Sequence, residues 1–122
     1  MKYLLDTHTL LWFLAGDASL SPSARQHVEN EAHDIFVSMA SLWEIAIKSS
    51  LGKLELTTSL DALLTEQLPN NAIQVLGIDV AHLLCIHALP LHHRDPFDRL
   101  LAAQSLVEKM PMISKDVIMD DY

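Results

Sequence analysis

The amino-acid sequence predicts a single α/β domain with a mainly parallel sheet. Three observations carry that expectation. Short apolar runs of strand length alternate with longer helical stretches along all 122 residues, the pattern of parallel strands joined by crossover helices. Helix starts and stops are punctuated, by Ser21-Pro22 and Asp95-Pro96 at the start and by Gly16, Gly52 and Pro90 at the end. Hydrophobic residues make up 50% of the chain and charged residues 20%, enough apolar material for a real core and against disorder.

The elements follow in order. Lys2 to Asp6 is an apolar run closed by a charge, a buried strand. Thr7 to Ala15 carries Leu10, Leu11, Phe13 and Leu14, a helix stopped by Gly16. Ser21 caps a second helix with proline at its first position, from Pro22 to about His33. Its composition is mostly polar, so one side is expected to face water. Ile35-Phe36-Val37 is the second strand. Ser38 or Ser41 caps a third helix through about Leu51, closed by Gly52. Leu60 to Leu68 is a fourth helix, stopped by Pro69. Ile73 to Leu76 is the third strand. Val80 to Ala88 is a fifth helix, ended by Pro90. Asp95-Pro96 opens a sixth running to Lys109. Met112-Ile113-Ser114 is the fourth strand.

Composition narrows the function. The net charge of −8 argues against binding nucleic acid through a broad basic surface, but not against an enzyme that meets phosphates through metal ions. It also suits a partner that supplies positive charge. The single Cys85 cannot form an internal disulfide and is expected to be a small buried hydrophobe, in keeping with a reducing cytoplasm. Asp6 and His8 interrupt the N-terminal apolar run, so no signal peptide is expected. No apolar stretch approaches the roughly 20 residues that span a bilayer.

Four acids stand beside residues that belong in a core: Asp6 after Tyr3-Leu4-Leu5, Glu44 between Trp43 and Ile45, Asp98 before Leu100-Leu101-Ala102-Ala103, and Asp116 after Met112-Ile113-Ser114-Lys115. A carboxylate near a core is costly unless paired, and a divalent cation pairs well. In parallel sheets, sites form outside the C-terminal strand ends. Asp6 and Asp116 follow strands one and four, Glu44 is in the helix after strand two, and Asp98 is in the helix before strand four. Mg²⁺ or Mn²⁺ is the expected ion, since hard cations want oxygen ligands.

Each acid also has a plainer explanation. Asp6 serves as an N-cap for the helix at Thr7. Glu44 has Lys48 one turn on, the spacing of a surface ion pair. Asp95 is best explained as the N-cap before Pro96. Asp98 is a dipole-favoured acid in a first turn. Asp116, Asp120 and Asp121 form an acidic tail, of which Asp116 has the best claim to a site. Thr7, Ser38 and Ser114 each lie near an acid, where orienting a metal-bound water and capping are about equally expected. The pair His92-His93 lacks further spaced ligands for zinc. His8 stands where an aspartate-dependent phosphatase would have its second aspartate.

Leu4-Leu5-Asp6-Thr7-His8, Ser41-Leu42-Trp43-Glu44-Ile45-Ala46-Ile47-Lys48, Leu51-Gly52-Lys53-Leu54 and Arg94-Asp95-Pro96-Phe97-Asp98-Arg99-Leu100-Leu101-Ala102-Ala103-Gln104 together resemble the PIN-domain ribonucleases. Among these the pattern is closest to the VapC-type toxins of bacterial toxin–antitoxin pairs. The resemblance implies a three-layer α/β/α sandwich and a metal-dependent endoribonuclease. It implies Asp6, Glu44, Asp98 and Asp116 as catalytic, metal-binding acids, with Mg²⁺ or Mn²⁺ as cofactor. It further implies an RNA substrate, a cognate antitoxin and a homodimer in the cytoplasm. A non-catalytic binding module for antitoxin or RNA is the alternative. One departure is expected: with the chain stopping at Tyr122, the usual final edge strand is absent. RNA contacts are expected from local residues such as Lys48, Lys53, Arg94 and Arg99.

Overall fold

A computed structural model describes residues 1–90 and 95–114, together with the backbone of 117–119. The expectations placed on Arg94, the His92-His93 pair and Asp116 lie outside the described residues.

The strands β1 (Lys2–Leu5), β2 (Asp34–Ser38), β3 (Ile73–Leu76), β4 (Met112–Ser114) and β5 (Val117–Met119) form one sheet in the order β3-β2-β1-β4-β5. The first four run parallel, and β5 returns antiparallel beside β4. The sheet is therefore mainly parallel, as expected, but the final edge strand is present. Its Val117-Ile118-Met119 run pairs with Ser114, Ile113 and Met112, satisfying the ladder groups that β4 would otherwise leave open.

Strand periodicity makes the layers, because successive side chains point to opposite faces. Tyr3, Leu5, Ile35, Val37, Ile73 and Ile113 join the main core. There they meet α1 (Thr7–Ala15), α2 (Pro22–Glu29) and α3 (Met39–Ser50), through Leu10, Phe13, Val28 and Ile45 among others. The alternate positions Leu4, Phe36, Leu76 and Met112 belong to a second cluster with Leu101 and Met110. Leu101 lies on the last helix, Pro96–Glu108. Helices cover both faces, so the three-layer α/β/α architecture follows from the two-residue repeat of short apolar strands.

Several boundaries differ from expectation. Helix α2 ends at Glu29 rather than near His33. Asn30 leaves the helical region at φ −68°, ψ 119° and turns the chain, its side-chain oxygen accepting from Ala32 N–H at 2.9 Å. Pro69 does not stop the fourth helix. A continuous helical stretch, α4, runs as Leu60–Ala62, a π-helical Leu63–Gln67, and Leu68–Asn70. The Leu68 N–H bonds to the Leu63 carbonyl. This wider turn shifts the hydrogen-bond register just before a residue that has no N–H to give. Cys85 is half-buried rather than buried. It sits on α5 (Val80–Ala88), which packs along α6 (Pro96–Glu108).

The caps are as the residue types require. Asp6, Ser21, Ser38, Ser59, Asp79 and Asp95 each accept an N–H of the following helix. Gly16 ends α1 at φ +66°, a left-handed conformation that glycine adopts without strain. No helix among the described residues is long and apolar enough to cross a membrane.

Candidate metal centre

Asp6 leaves β1 at the middle of the sheet, where its N–H donates to the Ile113 carbonyl of β4 at 3.2 Å. Both carboxylate oxygens are held. Oδ1 accepts from Thr9 N–H at 2.7 Å, capping α1, and Oδ2 accepts from the Ser114 hydroxyl at 2.6 Å. The capping explanation for Asp6 is thus correct, and it uses only one of the two oxygens. Ser114, 108 residues away in sequence, fixes the other.

Glu44 projects from α3 and is 8% exposed. Its Oε1 accepts from the Thr7 hydroxyl at 2.9 Å, and its Oε2 accepts from Lys48 Nζ at 2.8 Å. Thr7 has one hydroxyl proton, so its 2.9 Å contact with Ser41 is donated by the Ser41 hydroxyl. The expected Glu44–Lys48 pair is present, but on the carboxylate side it is not a surface pair. The Glu44 side chain is 10% exposed and that of Lys48 is 44%. Thr7 follows Asp6 in sequence, so one chain step joins the Ser114–Asp6 bond to the Ser41–Thr7–Glu44–Lys48 network.

Asp98 lies in the first turn of α6, which Asp95 caps by accepting from Phe97 N–H at 2.8 Å and Asp98 N–H at 3.3 Å. Helix α3 packs against α6. Trp43 meets Phe97 edge to face, with ring centroids 5.4 Å apart, and these two residues directly precede Glu44 and Asp98. The Lys48 ammonium is held above its ordinary pKa, first by its hydrogen bond to Glu44, then by the field of Glu44, with smaller contributions from Asp95 and Asp98. One cation therefore lies in the combined field of Glu44, Asp95 and Asp98.

The acids Asp6, Glu44 and Asp98 offer only oxygen, the donor type that hard divalent ions take, but their carboxylate oxygens do not all lie within 4.8 Å of one another. Both oxygens of the nearly buried Glu44 carboxylate are satisfied within the protein, by the Thr7 hydroxyl and the Lys48 ammonium. Ser38, weighed for orienting water, instead caps α3 through Ala40 N–H at 3.0 Å. Arg99 is half-buried, and it donates to the Ile86 carbonyl at 3.3 Å. Among the described residues expected to contact RNA, Lys53 is exposed and Lys48 and Arg99 are half-buried.

Sequence inspection missed a second group. Ligand-type atoms of Asp79, His82 and Glu108 lie within 4.8 Å of one another and could hold a metal ion. Glu108 is ten residues beyond Asp98, about 15 Å along the same helix, so this group is separate from the acids above. His82 is fully buried. Its Nδ1 accepts from Asp79 N–H at 3.1 Å, so the ring proton is on Nε2, which meets Glu108 Oε2 at 2.7 Å. Nδ1 thus closes the capping box of its own helix, and Nε2 clamps α5 against α6. The signal was a histidine three residues after the cap Asp79, the position of a capping box usually filled by Glu or Gln. His82→Ala is expected to cost about 2–3 kcal/mol in urea unfolding, equally with and without added divalent metal. A loss that appears only when metal is present would make this group a metal site.

A family model described as PIN domain matches residues 3–122. No curated protein matches the chain.

Proposed function

The chain belongs to the PIN domain family, and from that premise we propose that it is a metal-dependent endoribonuclease serving as the toxin of a toxin–antitoxin pair, close to the VapC type. In this proposal Asp6, Glu44 and Asp98 hold a Mg²⁺ or Mn²⁺ ion, and Asp116 completes the set. The observation that carries it is Glu44, a carboxylate only 8% exposed that is joined through Thr7 to the chain step leaving Asp6. Desolvation offsets much of the Coulomb gain that the nearly buried Glu44 takes from Lys48, so the pair alone adds little net stability.

A bound ion of this class supplies charge neutralisation and Lewis acidity toward a phosphodiester. The chain's own residues supply the rest. Ser114 and the Thr9 N–H fix the two oxygens of Asp6. The Thr7 hydroxyl fixes one oxygen of Glu44. Lys48 and Lys53 provide local positive charge for RNA on an otherwise acidic protein. Selectivity in such a protein rests on RNA shape and unpaired loops rather than on a basic surface.

The antitoxin is proposed to carry an Arg or Lys toward the acids and apolar side chains into a groove. A cavity of about 260 Å³ beside α1, lined by Leu11, Trp12, Leu54 and Leu56 and also by Asp17 and Glu55, offers a site for such side chains. A homodimer and a cytoplasmic location complete the proposal. It is tested by incubating the purified protein with structured RNA in Mg²⁺, in Mn²⁺ and in EDTA. Cleavage in either metal and none in EDTA is the expected result. Equal cleavage in EDTA would exclude the metal, and no cleavage in any condition would favour the binding module.

A further inference from the structure

Lys48 does more than pair with a neighbour one turn away. Its ammonium is 2.8 Å from Glu44 Oε2, and that oxygen belongs to a side chain only 10% exposed. The second oxygen is taken by Thr7 at 2.9 Å. A cation that approaches Glu44 must therefore share or displace Lys48. The surroundings add to the competition, since Asp95 and Asp98 also act on the same ammonium. The geometry is that of a carboxylate supplied with its own tethered positive charge.

We propose that Lys48 is a built-in counter-ion that holds Glu44 when no divalent ion is bound and competes with that ion for the carboxylate, so that it sets how tightly the metal is held. The inference rests on the proposed metal role of Glu44 and Asp98. Lys48 is a positioning residue here, acting through Glu44. Two opposed effects follow from one side chain. Without metal, Lys48 spares the protein an uncompensated carboxylate that is nearly buried. With metal, its charge opposes the incoming ion. A lysine with purely structural value would give the first effect and not the second.

The test is calorimetric titration of Mn²⁺ into the full chain and into three variants, Lys48→Met, Lys48→Arg and Asp98→Asn, each with a melting curve in EDTA. Lys48→Met keeps the aliphatic stem and removes the charge. It is expected to melt a few degrees lower in EDTA and to bind Mn²⁺ about five-fold more tightly, the size of a partly solvent-screened charge interaction. Lys48→Arg restores the charge and should return affinity close to that of the unmodified chain. Asp98→Asn should lose measurable binding. Unchanged or weaker binding by Lys48→Met, with binding lost in Asp98→Asn, overturns the counter-ion and leaves the metal site standing. Binding unaffected by Asp98→Asn, or absent from the unmodified chain, overturns the site itself and the counter-ion with it. Lys48→Gln takes the place of Lys48→Met if the latter does not fold.

Discussion

Asp6→Asn is expected to lower metal-dependent RNA cleavage by at least about 100-fold while leaving the melting temperature within a few degrees. The two halves of that result have separate causes. Removing one anionic ligand takes away several kcal/mol of charge stabilisation at the reacting phosphate, and each ~1.4 kcal/mol is a factor of ten in rate. The fold keeps its cap, because asparagine caps a helix as well as aspartate does and its side-chain oxygen can still accept from Thr9 N–H. The Ser114 hydroxyl can turn to accept from the new amide. Initial cleavage rates at saturating Mn²⁺, read beside circular dichroism melts, separate the two effects. Cleavage within tenfold of the unmodified chain would remove Asp6 from the ligand set.

Leu5→Ala is expected to be the most damaging change to the fold, at about 3–5 kcal/mol. Leu5 has no exposed surface. It lies on β1, the middle strand, level with Val37 of β2 and Ile113 of β4. The sheet ladder holds these strands in place, so the space left by the leucine cannot close. Such a loss is a large part of the 5–15 kcal/mol that stabilises an ordinary domain, and activity should fall with it because Asp6 is the next residue. Trp43→Ala makes the contrast. Trp43 is 60% exposed and touches Phe97 only edge to face, so about 1 kcal/mol is expected. Urea unfolding of both variants checks the difference, and a comparable loss in each would mean that β1 is less central than its pairing implies.

The strands and most helices were legible in the sequence because local chemistry specifies them. Ser21, Ser38 and Asp95 stand where orphan N–H groups need acceptors, and Gly16 stands where the chain turns left-handed. What escaped depends on distant partners. The π-helical turn at Leu63–Gln67 is a choice of hydrogen-bond register that no residue type announces. Strand β5 is three residues between acids, too short to be told from a tail until β4 pairs with it. The end of α2 escaped because the apolar spacing Ala24, Val28, Ala32 runs on past Asn30, where the backbone turns out of the helix.

At the candidate centre, residue types were legible and the bonds between them were not. Glu44 and Lys48 could be paired from their i,i+4 spacing, but the depth of Glu44 could not. The Ser114–Asp6 and Thr7–Glu44 bonds join residues 108 and 37 positions apart, which only the sheet order brings together. His82 passed as an ordinary helix residue because its burial comes from α6, far along the chain.

In the proposed nuclease, Asp6, Glu44 and Asp98 hold the metal that RNA cleavage needs. The most direct test is cleavage of one structured RNA in Mn²⁺ by the unmodified chain and by Asp98→Ala, with chelator controls. Asp98 is exposed at the start of α6, so its loss should leave the fold intact. Cleavage by the unmodified chain that disappears both in chelator and in Asp98→Ala is the predicted result. Cleavage that persists in Asp98→Ala at an undiminished rate would contradict it.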